Sequence, residues 1–283
     1  MFRALLATVL AALTLSVSAE TLTFTAIPDQ DESQLRTRFE QVGQYLSAEL
    51  GVEVQYLPVK SYAAAVTAFR NNQVQLAWFG GLSGVQARRL VPGSQAIAQG
   101  VEDPEFKTYL IAHHSTGLAP MAELSRDALA GMTFTYGSKG STSGRLMPQY
   151  YLTQSLGEPE QVFSRVGFSG DHSRTISQVE AGAYQLGAVN YKVWEQAVAD
   201  GKVDTDKVQK VWQTPGYPDY HWTVRGDLDQ RFGDGFAKRL QQALLELDDP
   251  AILGAFPRKG FIEASNADYA PVEQVASELG LIR

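Results

Sequence analysis

Apolar runs of strand length alternate with helical patterns along this chain, and this alternation restricts it to an α/β fold. Strand patterns occupy residues 22–27, 52–57 and 74–79. Between them, apolar residues recur at three- and four-residue spacing over 35–50 and 62–69, which predicts two helices. Two consecutive β-α-β passages predict a parallel sheet with right-handed crossovers.

A second α/β block follows a looser, glycine- and proline-containing stretch. Strand patterns lie at 132–136, 162–168 and 185–190, and helical patterns at 231–247 and 269–279 close the chain. The two blocks are either sequential domains or two lobes. In the second case the C-terminal helices pack on the first block, and the second block becomes an insertion with two chain crossings.

The first nineteen residues have the pattern of a secretory signal peptide. Arg3 supplies the positive charge, residues 4–15 form an apolar run, and Val17-Ser18-Ala19 suits cleavage before Glu20. The apolar run is shorter than the roughly 20 residues that a membrane helix needs. We therefore expect an exported protein of the Gram-negative periplasm.

Composition excludes several functions for the mature chain. Without Arg3 it carries 23 Lys and Arg against 31 Asp and Glu, which disfavours nucleic acid and anionic membranes as partners. The chain has no Cys and four His, so we expect no disulfide, no metal site and no cofactor. A small anionic ligand remains compatible, because local dipoles set the field inside a pocket.

Residues 137–144, Gly-Ser-Lys-Gly-Ser-Thr-Ser-Gly, stand where a predicted strand ends and a helical pattern begins. The first N–H groups of a helix lack internal acceptors, and the helix dipole makes that end positive. Glycines allow close approach to the backbone, and hydroxyls add donors. The segment is therefore either an anion cradle or an ordinary serine-rich N-cap.

Five ordered segments carry a family resemblance: 27–30, 60–66, 77–80, 140–144 and 188–190. Together they resemble the periplasmic binding proteins of ABC importers for phosphonate, phosphite and hypophosphite, over nearly the whole mature chain. This resemblance implies a type II periplasmic binding protein fold, with two lobes joined by a two-crossing hinge. A ligand would lie in the cleft between them.

The segment 71–84 is similar to a subgroup of that superfamily described as selenate-binding. Adopting the two-lobed arrangement, we place residues 20–115 and 220–283 in lobe 1. Residues 116–219 form the inserted lobe 2.

The resemblance also assigns site residues. It implies that Ser141, Thr142 and Ser143 hold the ligand oxygens by hydroxyl and backbone N–H groups. It implies further that Tyr62 and His172 donate to the ligand. Without the family, a core aromatic residue is the favoured interpretation of Tyr62, and His172 is equally a residue of a helix N-cap region.

Asn190 falls where phosphonate and phosphite binders commonly carry aspartate. An ionised carboxylate accepts a ligand proton and repels a ligand without one, whereas asparagine offers an N–H donor. Asn190 therefore favours a proton-free tetrahedral dianion, with selenate or a similar ion as the best candidate. Gly84 falls where relatives often carry an aromatic residue, so we expect a roomier cleft or one closed by Trp78 or Phe79. Asn190 as a turn residue and Trp78 as a core residue are the simpler alternatives.

The predicted function is the substrate-binding subunit of an ABC importer, with a small oxyanion and an inner-membrane permease as partners. We expect a monomer. Phosphonate or phosphite binding is one alternative, presentation of the ligand to a membrane histidine kinase is a second, and an amine or vitamin ligand is a third. No enzyme is expected, because Thr142 replaces the serine of a Gly-x-Ser-x-Gly elbow and no P-loop is present.

Overall fold

The computed structural model describes residues 20–254 and 256–282, so the predicted leader at 1–19 lies outside the described residues. No helix in this described part is long and apolar enough to cross a membrane. The strands are β1 (Leu22–Ala26), β2 (Val54–Tyr56), β3 (Leu76–Phe79), β4 (Gln95–Gly100), β5 (Thr108–His113), β6 (Thr133–Tyr136), β7 (Arg165–Phe168), β8 (Leu186–Asn190), β9 (Val208–Gln213), β10 (His221–Val224) and β11 (Phe261–Glu263). The helices are α1 (Glu32–Leu50), α2 (Tyr62–Arg70), α3 (Gly81–Leu90), α4 (Arg126–Leu129), α5 (Met147–Leu156), α6 (Pro159–Val162), α7 (His172–Glu180), α8 (Tyr191–Ala199), α9 (Leu228–Phe232), α10 (Phe236–Leu245), α11 (Pro250–Leu253) and α12 (Ala270–Glu278).

The sheet of lobe 1 has six strands in the order β11-β4-β10-β3-β1-β2. β1 pairs in parallel with β2 and β3, as the two predicted β-α-β passages require. β10 runs antiparallel between β3 and β4. The C-terminal part of the chain therefore returns to complete the first sheet, which is the inserted arrangement rather than two sequential domains.

The sheet of lobe 2 repeats this plan with five strands in the order β7-β6-β8-β5-β9. β6 is parallel to β7 and β8, and β5 runs antiparallel between β8 and β9. In each sheet the first strand that the chain forms on arriving from the other lobe runs antiparallel to both of its neighbours, and in lobe 1 β11 is antiparallel to β4 as well. The predicted two-lobed α/β architecture is confirmed.

The boundary predicted at 115/116 differs from the structure. The predicted boundary places residues 108–113 at the end of lobe 1, yet they form β5, which pairs with β8 and β9 in the second sheet. Its residues are buried alternately in two apolar clusters, Leu110 and Ala112 on one face and Tyr109 and Ile111 on the other. A central strand with both faces buried is apolar along its whole length, so its sequence does not reveal which sheet it joins. The chain leaves lobe 1 between residues 101 and 107 and returns between 214 and 220.

The two crossings lie side by side and form the hinge. Phe106 and Tyr217 exchange backbone hydrogen bonds with N···O distances of 2.9 and 3.0 Å. Asp103 in the first crossing accepts hydrogen bonds from two Arg258 nitrogens, each at 2.8 Å. Both side chains of this ion pair are buried. Removing either partner would leave an uncompensated charge, so the pair fixes the first crossing against the segment before β11.

Several elements lay outside the sequence predictions. β4, β9 and β11 were not predicted, and neither was α8. β4 consists of Gln, Ala, Ile and Gly, whose strand propensities are low on balance, and it is a strand because both of its neighbours bury it. α8 begins directly where β8 ends, with no loop residue to separate the two patterns.

Candidate functional site

The Ser-Thr-Ser turn joins β6 to α5 through one π-helical turn, Thr142–Leu146. The Ser141 hydroxyl accepts from the Gly144 N–H at 2.9 Å, and the Gly137 N–H donates to the Gly144 carbonyl at 2.8 Å. Pro148, near the start of α5, has no N–H to offer that carbonyl. The N–H groups of Thr142 and Ser143 stand in the first turn, where no intrahelical acceptor exists. They are the donors that this turn can offer to an anion.

Two glycines let the His172 ring lie against the turn. A Cβ on Gly144 would stand 3.0 Å from Ser141 Oγ and 3.1 Å from His172 Cε1, and one on Gly137 would stand 3.7 Å from the same ring atom. His172 begins α7, and its backbone N–H donates across the cleft to the Asp29 carbonyl at 3.0 Å. The lobes are therefore closed on each other at this point.

His172 is a neutral donor. Burial lowers the pKa of His172 to about 3, so the ring carries no charge near neutral pH. Its Nδ1 accepts from the Asn190 N–H at 3.3 Å, which places the single ring proton on Nε2. Nε2 lies 3.4 Å from Ser143 Oγ, at the turn. The ring can therefore donate one hydrogen bond to a ligand oxygen beside Ser143.

Tyr62 begins α2 in lobe 1 and is 2% exposed. Within the described residues its hydroxyl has no hydrogen-bond partner, although the Ser141 hydroxyl lies close enough to influence it. Burial and the neighbouring Asp29 carboxyl raise the pKa of Tyr62 well above its usual value. A buried hydroxyl without a partner is costly, and a ligand oxygen would satisfy it.

Asp29 brings a carboxyl to the same place. It follows β1, and Tyr220 donates to its Oδ2 at 2.9 Å. Burial is the largest influence and raises the pKa of Asp29 to about 6, although Tyr220 and Arg258 oppose the shift. Arg258 is itself bound to Asp103. The site thus contains an acceptor that can share a proton with a ligand.

The sequence suggests that the Asn190 amide faces the ligand where relatives carry an aspartate, but both ends of this amide bind other groups. Its Oδ1 caps α8 by accepting from the N–H groups of Lys192 and Val193, at 2.8 and 3.3 Å. Its Nδ2 donates to the Tyr220 hydroxyl at 3.0 Å, and Tyr220 donates onward to Asp29. The amide is therefore part of a bridge between the lobes. Asn190 therefore does not leave the site without a proton acceptor, because Asp29 supplies one.

Thr142 and Asp219 form a second bridge. The Leu82 N–H, in the first turn of α3, donates to Thr142 Oγ1 at 3.0 Å. The Gly81 N–H donates to Asp219 Oδ1 at 2.9 Å, and the Thr142 hydroxyl also interacts with the Asp219 carboxyl. Asp219 Oδ2 is buried and has no hydrogen-bond partner in the part of the chain that the structure describes, and burial raises the pKa of Asp219 to about 7. The Thr142 side chain thus joins the lobes, while its backbone N–H remains for a ligand.

Trp78 lies beside Tyr220 and borders a small void next to Asp29 and Asn190. Its ring stacks on Tyr220 with 5.7 Å between centroids and packs on the aromatic core of lobe 1. Gly84 faces away from the cleft, because a Cβ there would stand 2.3 Å from the His221 ring. His221 fills the space of the aromatic residue expected at position 84. His221 therefore occupies the space beside Gly84, and the two alternatives for the cleft, roomier or closed by Trp78 or Phe79, stay predictions.

The structure brings together most of the predicted residues in one buried region, namely Tyr62, Ser141, Thr142, Ser143, His172 and Asn190, each at most 2% exposed. Sequence reasoning gave no role to Asp29, Asp219 and Tyr220. Asp29 could have been found, because it follows a strand at the carboxyl edge of a parallel sheet, where ligands bind. Asp219 and Tyr220 lie in the hinge and have no such signal. Among the described residues no cluster of His, Asp and Glu could hold a metal ion.

Comparison with known proteins decides the family. Residues 24–269 match the family of periplasmic substrate-binding proteins of ABC transporters for phosphonate. The chain belongs to this family. It is a periplasmic substrate-binding protein of an ABC importer and, like its homologues, not an enzyme.

Named relatives of this phosphonate-family protein differ in their similarity to it. The probable ABC transporter phosphite binding protein PhnD1 of Prochlorococcus marinus (strain MIT 9301) is 43% identical over 265 residues, covering 91% of this chain and 89% of the relative. The phosphonates-binding periplasmic protein of Escherichia coli (strain K12) is 24% identical over 261 residues, covering 90% and 75%.

Solved structures agree with the fold. PhnD1 from Prochlorococcus marinus (MIT 9301) in complex with methylphosphonate has a TM-score of 0.89 at 42% identity, covering 93% of this chain and 99% of that chain. A binding protein component of an ABC phosphonate transporter from Pseudomonas aeruginosa has a TM-score of 0.78 at 19% identity, covering 91% and 85%, and supports the fold alone.

Proposed function

We propose that this protein captures a small tetrahedral phosphorus oxyanion that keeps one proton, with phosphite and methylphosphonate as the best candidates. One observation carries the proposal: the buried Asp29 carboxyl acts electrostatically on the Tyr62 hydroxyl, which has no hydrogen-bond partner among the described residues. The Tyr62 hydroxyl and the N–H groups of Thr142 and Ser143 would bind ligand oxygens, together with His172 Nε2. The names of the PhnD1 relative and of its methylphosphonate complex support this ligand class.

In this proposal the protein distinguishes ligands by whether they carry a proton. A ligand hydroxyl would donate to Asp29, so one proton would lie between two groups that otherwise repel each other. Sulfate and selenate carry no proton near neutral pH and would face the carboxylate directly. The raised pKa values of Asp29 and Asp219 indicate how poorly these buried positions accept additional negative charge. A proton-free dianion, which Asn190 suggested, is therefore the weaker candidate.

Closure of the lobes would supply the affinity. Tyr62 approaches from lobe 1, and the Ser-Thr-Ser turn and His172 from lobe 2, so the full donor set exists only in the closed form. Hydrogen bonds to an ionised ligand in a site without bulk water are stronger than those between neutral groups. We propose that the closed protein, exported after loss of residues 1–19, then docks as a monomer on a membrane permease.

Isothermal titration calorimetry of ligand-stripped protein tests the ligand class. At pH 7 we expect phosphite and methylphosphonate to bind at least ~100-fold more tightly than sulfate or selenate, a difference of about 2.7 kcal/mol. Titration in two buffers of different ionisation enthalpy would show whether proton release accompanies binding. Equal or tighter binding of selenate or sulfate would contradict the proposal.

Asp29→Asn provides the matched test of the mechanism. The variant should lose at least ~10-fold in affinity for phosphite, because the ligand proton loses its acceptor. Its affinity for sulfate should stay constant or rise, because the repulsion is gone. Asp234→Asn, at an exposed aspartate of lobe 1, is the control and should leave both affinities unchanged.

A further inference from the structure

A groove of about 770 Å³ lies between the lobes, outside the buried site. Lobe 1 contributes Val59 and Tyr62 to its lining, and lobe 2 contributes Gly140 and Phe168. The groove and the site share one wall. Tyr62 has its hydroxyl on the inner side, near Asp29 and Ser141, whereas its Cβ and the near edge of its ring, which Tyr62→Ala would remove, lie against Gly140.

The contact between Tyr62 and Gly140 is tight. A Cβ on Gly140 would stand 3.0 Å from the Tyr62 Cβ, a distance that real Cβ atoms barely reach. The φ angle of Gly140 is not in the left-handed region. The glycine is therefore needed for the approach of the two lobes rather than for its backbone conformation.

On the other side of the site, space is small. A void bordered by Asp29, Asn190, Tyr220 and Trp78 measures about 20 Å³, roughly the room that one water molecule requires. A hydrogen or a methyl group on a tetrahedral anion fits such a space. A longer substituent would have to pass between Tyr62 and Gly140 into the large groove.

We propose that the Tyr62–Gly140 contact is a steric seal that determines ligand specificity by excluding phosphonates with substituents longer than methyl. This inference rests on the proposed function and adds the residues that limit ligand size. With the seal closed, a longer substituent has no exit and forces the lobes apart, so the donors on the two lobes no longer meet. With the seal removed, the same substituent extends into a groove that is already present.

The experiment measures affinities for methyl-, ethyl- and n-propylphosphonate, which share one charge pattern and differ only in length. For the wild-type protein we expect affinity to fall at least ~30-fold from methyl to ethyl. Tyr62→Phe keeps the ring and removes the hydroxyl, so all three affinities should fall by one factor with the ethyl-to-methyl ratio unchanged. Tyr62→Ala opens the seal and should raise that ratio at least ~10-fold above its value in Tyr62→Phe.

Gly140→Ala tests the other half of the contact. The added methyl group should prevent full closure and weaken methylphosphonate binding by at least ~10-fold, with a smaller ligand-induced decrease in the radius of gyration by small-angle X-ray scattering. Gly260→Ala is the matched control, because a Cβ there meets no atom within 4 Å and its φ is not positive. It should behave as the wild type.

Three results would overturn the seal. Equal wild-type affinity for methyl- and ethylphosphonate would do so and leave the proposed function intact. The same ethyl-to-methyl ratio in Tyr62→Ala and Tyr62→Phe would do so as well, as would wild-type behaviour of Gly140→Ala. Absence of binding by phosphite and by all three phosphonates would instead overturn the proposed function, and the seal with it.

Discussion

At the scale of single residues, two buried carboxyls near the site have different roles. Asp29 and Asp219 are both buried, and both have raised pKa values, yet their surroundings differ. Asp29 accepts from Tyr220 and acts electrostatically on the Tyr62 hydroxyl, which has no hydrogen-bond partner among the described residues. Asp219 is held by the Gly81 N–H and touches Thr142 rather than the ligand space. We therefore assign Asp29 to the ligand and Asp219 to the junction between lobes and hinge.

Asp219 makes stability depend on pH. Its pKa is about 7 in the folded protein and near 3.8 when unfolded, so the folded state binds more protons between these values. The free energy of unfolding should therefore decrease as pH rises from 4 to 7, by at most on the order of 4 kcal/mol from this group. Asp219→Asn removes the titration and keeps the oxygen that accepts from Gly81.

Chemical denaturation of ligand-free protein at pH 5 and pH 8 measures this effect. The loss of stability between the two pH values should be smaller in Asp219→Asn than in the wild type or in the exposed control Asp234→Asn. Asp29, with a pKa of about 6, should leave part of the pH dependence in the variant. An identical loss in all three proteins would show that Asp219 ionises normally.

At the scale of elements, the strand–turn–helix unit from β6 to α5 forms the anion cradle. Gly137 and Gly144 approach each other, and the Ser141 hydroxyl caps the turn. The N–H groups of Thr142 and Ser143 lie at the start of the π-helical turn. Pro148 contributes by lacking the N–H that would draw the Gly144 carbonyl into a regular helix. Gly137, Ser141, Gly144 and Pro148 thus each have a separate geometric role in the turn.

Gly144→Ala should disrupt the cradle. The added Cβ would overlap with Ser141 Oγ, Gly137 Cα and the His172 ring, at 3.0–3.1 Å. We expect a loss of about 1–3 kcal/mol in stability, as for other overpacked sites, and a loss of ligand-induced thermal stabilisation. Differential scanning calorimetry with and without phosphite measures both quantities. Gly260→Ala should change neither, and normal stabilisation of Gly144→Ala by phosphite would refute the assigned geometry.

The sequence predicted this unit because its information is local. A strand pattern, a glycine- and hydroxyl-rich turn and a helix pattern follow one another, so position alone places the donors. Asp219 and Tyr220 contribute to the same site from the hinge, where no periodic pattern surrounds them. Likewise, the sequence predicted that Asn190 faces a ligand. Its actual partner, Tyr220, lies 30 residues further along the chain, and no local pattern indicates that the two side chains meet.

At the scale of the whole molecule, one polar bridge between α8 and the first crossing lies apart from the site residues. Lys192 in α8 donates to Glu102 in the first crossing at 3.3 Å, with both side chains less than 20% exposed. Such a pair stabilises the closed form without favouring any one ligand. The other bridges, through Thr142 and Tyr220, belong to the site itself.

Lys192→Met should weaken every ligand by a common factor. A partly buried ion pair contributes about 1 kcal/mol, which corresponds to roughly 5-fold in affinity if it forms only on closure. Calorimetry with phosphite and methylphosphonate should show equal losses. Lys202→Met, which breaks an exposed pair with Asp200 inside lobe 2, is the control and should have no effect. Unequal losses would mean that Lys192 acts on the ligand.

The order of the strands also has a consequence in time. Residues 108–213 contain every strand of the second sheet, whereas the first sheet lacks the strand between β3 and β4 until residues 221–224 arrive. When the chain emerges from its N-terminus, the second sheet can complete its backbone hydrogen bonds before β10 is available to pair with β3 and β4 in the first sheet. The N-terminal half of this protein should therefore be the last to acquire protection against amide exchange.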